Sequence, residues 1–293
     1  MLLLGDSVNV EIRDAPRNAS SRRVRGVRIH TRGRSLRMGG NFLRYRTVLT
    51  FAFAFLVSQA CIAQQKIIGD TEELLFDSAN RERAARDLPL LTWDEALARA
   101  ARKHAELMAE EDVLAHQLPG EPDLTTRAWE AGARFSRVTE NIARGEDPDK
   151  FHDGWMHSAE HRANILDSAV DSIGIAPLEG IGRSFAVEDF ARAVKPLSID
   201  EQEKRVAQLI AAHGLRLRKI GADARKSCEL ERDYAGTTTP RYVEHYETPD
   251  ISHLPEYLEK EIRSHRYKSA AVGACSQRKS SGFTRFRIVV LLY

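Results

Sequence analysis

Residues 155–162 read Trp-Met-His-Ser-Ala-Glu-His-Arg, and two shorter stretches stand before them, Leu114-Ala115-His116-Gln117 and Thr139-Glu140-Asn141-Ile142-Ala143. Each stretch supplies one polar side chain that is costly to bury without a partner: His161, His116 and Glu140. Two imidazoles and one carboxylate match the ligand set of an open zinc site, in which water or substrate takes the fourth position. The same side chains could equally form a hydrogen-bonded network that holds no metal.

The residues around these motifs predict helices packed on a short sheet. Thr92-Trp93-Asp94-Glu95 has the pattern of a capping box, and an apolar stripe from Leu97 to Met108 predicts the helix that follows it. His104 lies on that stripe and is expected to be a core histidine. Further helices are expected at 71–86, 122–134, 148–158 and 161–166, and paired strands at 172–176 and 184–191.

A second unit is predicted after Pro196. Ser198-Ile199-Asp200-Glu201 is another capping box. Strands are expected at 215–220, 241–246, 270–275 and 283–293, and a helix at 255–264. Because residues 288–292 are apolar on both faces, the last strand should be central in its sheet. We therefore expect a smaller α+β domain over residues 197–293, and no motif in it points to catalysis.

Taken in order, the motifs of the first unit resemble the CAP superfamily, or SCP domain: cysteine-rich secretory proteins, antigen 5 and pathogenesis-related proteins, with bacterial secreted relatives. The resemblance runs from Asn80-Arg81-Glu82-Arg83 through Leu91-Thr92-Trp93 and Ile173-Gly174-Ile175 to Glu188-Asp189-Phe190-Ala191. It implies an α+β fold, an α-β-α sandwich, over residues 70–195.

The resemblance also implies a cleft in which two histidines and one or two glutamates converge. Position by position it assigns His116, Glu140 and His161 to that cleft. From their own chemistry, these side chains are candidate ligands of zinc or another divalent metal, and Glu140 is the candidate catalytic base. Ser158 stands where the family has a further acid, which leaves the second carboxylate without a counterpart. Around them, Trp155 should line the cleft, Asn141 should brace the loop after Glu140, and Arg162 should anchor Glu140 or a nearby carbonyl.

A competing motif overlaps this region. His157-Ser158-Ala159-Glu160-His161 fits the inverted zincin pattern, in which two histidines bind zinc and the glutamate is the base. If this interpretation holds, His157 and His161 should face one another and His116 should lie far away.

The start of the chain has the pattern of an export signal. Arg44 and Arg46 precede an apolar run over 48–57, and Ser58-Gln59-Ala60-Cys61-Ile62-Ala63 ends in small residues, which predicts a signal peptide over 38–63 cleaved after Ala63. The run is shorter than the roughly 20 residues that a membrane span needs. Because Met38 is a natural start for such a signal, residues 1–37 are either an over-called translation start or a disordered basic leader, and the sequence assigns them no function. The mature protein is expected to be secreted or periplasmic, with no stable membrane span; lipidation at Cys61 is an alternative.

The charge distribution bears on the class of partner, and the cysteines bear on whether a disulfide forms. The formal net charge is +2, and residues 1–37 hold nine arginines against three acids, so the remainder is acidic and a nucleic-acid partner is not expected. In an oxidising compartment Cys228 and Cys275 should form a disulfide; two buried thiols are the alternative.

The resulting hypothesis is an exported CAP/SCP protein that binds a metal ion or a small, lipid-like ligand in its cleft. Two alternatives stay open. One is a metal-dependent hydrolase acting on an envelope or extracellular substrate, and the other is a protein interaction module with a vestigial cleft. Turnover is not required by the residues, and the ligand could be a small molecule, a lipid or a protein.

Overall fold

A computed structural model describes residues 2–11, 71–180, 183–218, 222–230, 233–277 and 282–293. Residues 2–11 and the described residues from 71 onward pack as one compact unit. The predicted signal peptide and most of the basic leader lie outside the described residues.

Among the described residues, the first sheet has six strands: β1 (Leu3–Leu4), β2 (Val8–Glu11), β3 (Thr92–Trp93), β4 (Phe135–Gly145), β5 (Ser172–Gly180) and β6 (Arg183–Ala193). Their order in the sheet is β1-β4-β6-β5-β3, and β2 also pairs with β4. β4, β6 and β5 form a continuous antiparallel core, in which Glu140 pairs with Asp189 and Asn141 with Glu188.

Helices cover both faces of this sheet. They are α1 (residues 71–84), α2 (Glu95–Glu111), α3 (Leu124–Glu130), α4 (Phe151–His157) and α5 (Ala159–Ile165), with a 3-10 turn at Pro148–Lys150 before α4. One apolar cluster joins α1, α4 and α5 to the sheet, and two others join α2 and α3 to its opposite face. The α-β-α sandwich is therefore confirmed.

Gly174 explains how closely α2 lies on β5. A Cβ atom at this position would stand 2.0 Å from the backbone nitrogen of Ala98 and 2.4 Å from the carbonyl carbon of Leu97. Those contacts are with main-chain atoms of the helix, so only a residue without a side chain fits. The glycine of the Ile173-Gly174-Ile175 motif thus sets the distance between helix and sheet.

Two local predictions in the α-β-α sandwich are wrong. The cap of α2 is Asp94, whose carboxylate accepts from the N–H groups of Ala96 and Leu97, whereas Thr92 belongs to β3. The long strand β4 was not predicted, and Glu140 and Asn141 lie within it and not in a loop. Polar residues interrupt the apolar pattern of β4 because the sheet buries them in a hydrogen-bonded network, which single-sequence periodicity does not reveal.

The described elements of the C-terminal region are α6 (Ile199–Ala212), β7 (Arg216–Leu217), α7 (Ala222–Glu229), β8 (Tyr242–Thr248), α8 (Glu256–Ile262), β9 (Ser269–Cys275) and β10 (Phe286–Leu292). Its four strands form a separate sheet in the order β7-β9-β10-β8. The capping box at Ser198 and the central position of the last strand are confirmed, whereas α7 was not predicted. A disulfide joins Cys228 to Cys275, as expected. Across the described ranges, no helix is long and apolar enough to cross a membrane.

Residues 2–11 were expected only as part of a basic leader. In the structure they pair with β4: Leu3 and Leu4 lie opposite Arg144 and Ala143, and residues 8–11 lie opposite residues 140–137. The segment therefore fills the edge of the sheet nearest to the candidate site.

Candidate functional site

The centre of the site is the carboxylate of Glu140, which is fully buried on β4. His116, in the loop after α2, brings Nδ1 to 2.6 Å from Oε1 of Glu140. Arg127, on α3, pairs with Oε2 of the same carboxylate and also donates to the carbonyl of His116 at 3.0 Å. Both oxygens of Glu140 therefore have a protein partner, and one arginine ties the carboxylate to the loop that carries His116.

Charge keeps Glu140 ionised. Burial alone would raise the pKa of its carboxyl group, but the charge of Arg127, the hydrogen bond from His116 and the proximity of His104 lower that pKa to about 2. The neighbouring carboxyl of Asp189 behaves in the opposite way, because burial and the charge of Glu140 raise its pKa well above the usual value. The pair thus consists of one anionic and one protonated carboxyl group.

His161 is positioned by the short break between α4 and α5. Ser158 ends α4 and precedes α5, and its Oγ lies 2.8 Å from Nδ1 of His161. Ser158 therefore occupies the position of the family's further acid with a hydroxyl group that orients the imidazole. Burial lowers the pKa of His161, while a hydrogen-bonding contact between its ring and the backbone of Gly5 opposes that shift.

The two imidazoles share one property. Within the described residues, Nε2 of His116 and Nε2 of His161 are both buried and have no side-chain partner, and Nε2 of His161 is approached only by the backbone of Gly5. An ionised carboxylate only accepts hydrogen bonds, so Nδ1 of His116 carries its proton and Nε2 of the neutral ring offers a lone pair. Gly5 lies beside both rings: a Cβ atom built on it would be 3.7 Å from Nε2 of His116, and its backbone approaches His161.

The three-ligand metal site predicted from the sequence is not formed. In the part of the chain that the structure describes, no group of three or more His, Cys, Asp or Glu side chains is arranged to hold a metal ion. The reason is that Glu140 uses both oxygens on His116 and Arg127. What remains is two Nε2 donors, with Glu140 behind His116 in the position of the carboxylates that orient metal-bound histidines.

Asn141 braces the site from the other face of β4. Its Nδ2 donates to the carbonyl of His161 at 3.2 Å and to Oε2 of Glu188 at 3.3 Å, and its Oδ1 accepts from Asn164 at 2.9 Å. Asn164 also donates to the carbonyl of Glu140. Asn141 thus fixes α5, and with it His161, to the strand that carries Glu140.

Two other expected cleft residues have different roles. Trp155 is fully buried in the core below α4, where its Nε1 donates to the carbonyl of Ile142, so it offers no surface to a ligand. Arg162 donates to the carbonyl of Met156 at 2.9 Å, so of its two expected partners it takes a carbonyl, and Arg127 holds Glu140 instead.

The inverted zincin interpretation is not supported. His157 and Glu160 are exposed, and Nδ1 of His157 is engaged with the carbonyl of Asp153 in its own helix. His161 is buried, and its ring lies close enough to His116 for the two charges to interact.

Sequence reasoning missed Arg127, Asp189 and Glu188. Arg127 gives no signal, because an arginine in a short helix looks like any exposed arginine. Glu188 and Asp189, which are adjacent in β6, do give a signal. Charged residues are rare in an apolar strand, and two in succession place one on each face of the sheet. His104 is a core histidine as expected, with Nδ1 2.8 Å from Glu121.

A cavity of about 750 Å³ adjoins this site through Arg127. Ala100, Leu107, Leu118 and two prolines form its apolar wall, and three cations line it: Arg99, Lys103 and Arg127. Glu111, Glu121 and Glu130 also reach it, whereas His116 and His161 do not.

Comparison with known proteins locates the family match in the α-β-α sandwich. The model of the Cysteine-rich secretory protein family (CAP) matches residues 76–189. The uncharacterized protein YkwD of Bacillus subtilis is 32% identical over 111 residues, which cover 37% of this chain and 42% of YkwD. The uncharacterized membrane protein YlbC of the same organism is 29% identical over 129 residues, covering 44% of this chain and 36% of YlbC.

Two solved structures are each similar to part of this chain. An extracellular protein containing an SCP domain from Bacillus anthracis is 28% identical, with a TM-score of 0.40, over 44% of this chain and 42% of that one. An outer surface protein of Borrelia burgdorferi is 20% identical, with a TM-score of 0.40, over 42% of this chain and 93% of that one. The chain spans less than half the length of the two Bacillus subtilis relatives. The family motifs, the sandwich that they form and the match of the family model agree: this chain carries a domain of the CAP, or cysteine-rich secretory protein, family.

Proposed function

We propose that this chain is an exported CAP protein that binds a divalent transition-metal ion between His116 and His161. The observation that carries the proposal is the pair of buried Nε2 atoms that no side chain satisfies, each on a ring whose Nδ1 is held in place. Imidazole nitrogen suits zinc, copper and nickel, and buried polar atoms without partners are rare unless something binds them. Export is supported by the signal-like pattern over 38–63.

The chemistry of such a site follows from the residues around it. A bound ion would supply a positive centre with positions left for water or for a donor from a ligand. Glu140 would hold His116 in the tautomer that presents Nε2, and Ser158, whose hydroxyl can donate or accept, would orient the ring of His161. With only two protein donors, binding should be weak and exchangeable, which fits ligand binding better than a permanent cofactor.

Hydrolysis is less well supported. Glu140 has a pKa lowered to about 2, and both of its oxygens are occupied, so it is a weak base. Asp189 holds a proton but is fully buried.

The metal proposal is tested by titrating the full chain with zinc chloride in a calorimeter. We expect saturable binding that falls by about tenfold or more in His116→Ala and in His161→Ala, because each loses one of two donors. His157→Ala is the matched control: it removes an exposed histidine of the same region and should leave binding unchanged. Equal binding in all four proteins would reject the proposal.

A second candidate is supported by the cavity next to Arg127. Its apolar wall fits the chain of a small amphiphile, which would contact Leu107 and Leu118, and the head group would meet a lining whose three cations are balanced by three glutamates. The test is titration with an anionic, environment-sensitive dye. We expect Lys103→Glu to weaken dye binding and Lys150→Glu, an exposed lysine outside the cavity, to leave it unchanged. Identical binding in both variants would remove this candidate.

A further inference from the structure

The edge of β4 is occupied by residues 2–11, which approach it as two short antiparallel strands. Leu3 and Leu4 pair with Arg144 and Ala143, and residues 8–11 pair with residues 140–137. β6 pairs with the opposite edge of β4. Without residues 2–11, the backbone N–H and C=O groups along this edge of β4 would lose those partners. Such an edge is a ready template for another extended chain.

The middle of the segment is shaped by the candidate site. Gly5, Asp6 and Ser7 stand opposite only Asn141 and Ile142, so the segment has one extra residue there. A Cβ atom on Gly5 would lie 2.6 Å from Cδ1 and 2.7 Å from Cγ1 of Ile142. A side chain at this position would therefore force Ile142 to move, at the point where the segment passes beside His116 and His161.

Apolar side chains anchor the segment on both sides of that glycine. Leu2 and Leu4 pack with the cluster of Phe151 and Trp155, where Gly154 leaves the room: a Cβ atom there would be 2.2 Å from Cδ2 of Leu2. Val8 and Val10 pack against the cluster formed with α2 and α3. Alternate side chains thus enter shallow apolar sites, while Asp6 and Asn9 remain exposed.

We propose that this edge of β4 is a docking groove for an extended peptide strand, and that residues 2–11 are a displaceable occupant of it. Backbone pairing would supply much of the affinity, and specificity would come from three requirements: apolar side chains at alternate positions, glycine over Ile142, and apolar side chains again beyond it. The partner is accordingly a protein segment with that pattern. Cleavage at the signal-like region over 38–63 would cut the covalent link to the occupant, after which a competing segment would displace it from the groove.

The occupant has the features of a ligand strand. Its side chains from Leu2 to Leu4 are half-buried, as are those of Val8 and Val10. Its covalent connection to the domain runs through residues 12–70. Gly5 lies beside the rings of His116 and His161, where a Cβ atom would stand 3.7 Å from Nε2 of His116.

The experiment uses the full chain with a protease recognition sequence placed within residues 13–37. After cleavage, a fluorescently labelled peptide of residues 1–12 is added in excess with a metal chelator, and its exchange into the groove is followed by anisotropy. We expect saturable binding of the labelled peptide. Because no metal is present, the result does not depend on whether the histidines bind one.

Three variants sharpen the test. A Gly5→Val peptide should bind about tenfold more weakly or worse, because its side chain meets Ile142. An Asn9→Ala peptide, altered at an exposed position, should bind like the original. In the protein, Gly154→Leu should abolish binding by filling the site of Leu2, and leucine is a better helix former than the glycine it replaces.

Each remaining outcome would overturn the proposal. If the cleaved segment cannot be displaced, or if the protein unfolds when it leaves, residues 2–11 are an integral strand. If the segment leaves and no peptide returns, the edge is not a docking groove. Equal binding of the Gly5→Val and original peptides would show that the contacts described above do not select the ligand.

Discussion

Nδ1 of His116 lies 2.6 Å from Oε1 of Glu140, and this contact decides what the site can do. It places the carboxylate behind the imidazole, so Glu140 orients His116 and does not compete with it for a metal ion. Arg127 occupies the other oxygen of Glu140 and completes the arrangement. The predicted set of three ligands becomes two donors supported by a buried ion pair.

Removing the arginine from that ion pair should be costly. Arg127→Met leaves the ionised Glu140 buried with only His116 as partner, and losing one member of a buried pair costs about 3–5 kcal/mol. We expect the free energy of unfolding, measured by urea denaturation, to fall by that amount. Arg263→Met removes an exposed arginine that pairs with Glu259 at the end of α8. It should change the free energy of unfolding by about 0.5 kcal/mol or less. A similar small change for Arg127→Met would contradict the role given to the pair.

Glu188 should make the protein less stable as the pH rises. Burial raises the pKa of this carboxyl to about 8, while the hydrogen bond from Asn141 opposes the shift. The folded state therefore keeps a proton that the unfolded chain releases above its ordinary pKa of 4.5. The stability that Glu188 contributes is complete below that value and is lost as the pH rises towards 8, at up to about 1.4 kcal/mol per pH unit.

The measurement is the unfolding free energy of the parent protein and of Glu188→Gln across pH 4.5–8.5. The amide cannot ionise, so the variant should show a shallower decline with pH. Glu160→Gln, at an exposed position, should follow the parent curve. Parallel curves for the parent and Glu188→Gln would mean that Glu188 is ionised in the folded state.

The disulfide should stabilise the C-terminal region. Cys228 and Cys275 are separated by 47 residues along the chain and join α7 to β9. A closed loop of this length contributes about 4 kcal/mol in the chain-entropy model. The double variant Cys228→Ser/Cys275→Ser should therefore unfold at a clearly lower urea concentration, and reducing agent should have that effect on the parent but not on the variant. No effect of reducing agent on the parent would contradict the pairing.

Gly174 should tolerate no side chain. Gly174→Ala places a methyl group against the backbone of α2 and should destabilise the protein by about 3 kcal/mol, the upper end of the usual cost of overpacking. Because the two closest contacts are with main-chain atoms of Ala98 and Leu97, removing the Ala98 side chain in Ala98→Gly should not rescue the variant. Rescue, measured by thermal unfolding, would show that helix and strand are farther apart than described.

The sequence predicted much of the fold because several short motifs correspond to local structural requirements. Gly174 sets a helix-to-strand distance, and Ser198 and Glu201 form the capping box of α6. The central position of β10 followed from its apolar faces. These features depend on a few neighbouring residues, so they can be seen in one chain.

The site was only partly predictable, because its decisive contacts join residues far apart in sequence. His116 and Glu140 were found from their motifs, but the carboxylate's second partner, Arg127, gives no local sign of burial. The strand β4 was missed because Thr139, Glu140 and Asn141 interrupt its apolar pattern, although all three are fully buried. Tertiary pairing with β6 overrides the local preference there.

The most direct test of the two-histidine site is a crystal of the full chain soaked in zinc and measured at the zinc absorption edge. We predict an anomalous peak about 2.1 Å from Nε2 of both His116 and His161, with Glu140 still bound to His116 and Arg127. A peak bonded to a Glu140 oxygen, or no peak between the two imidazoles, would contradict this account.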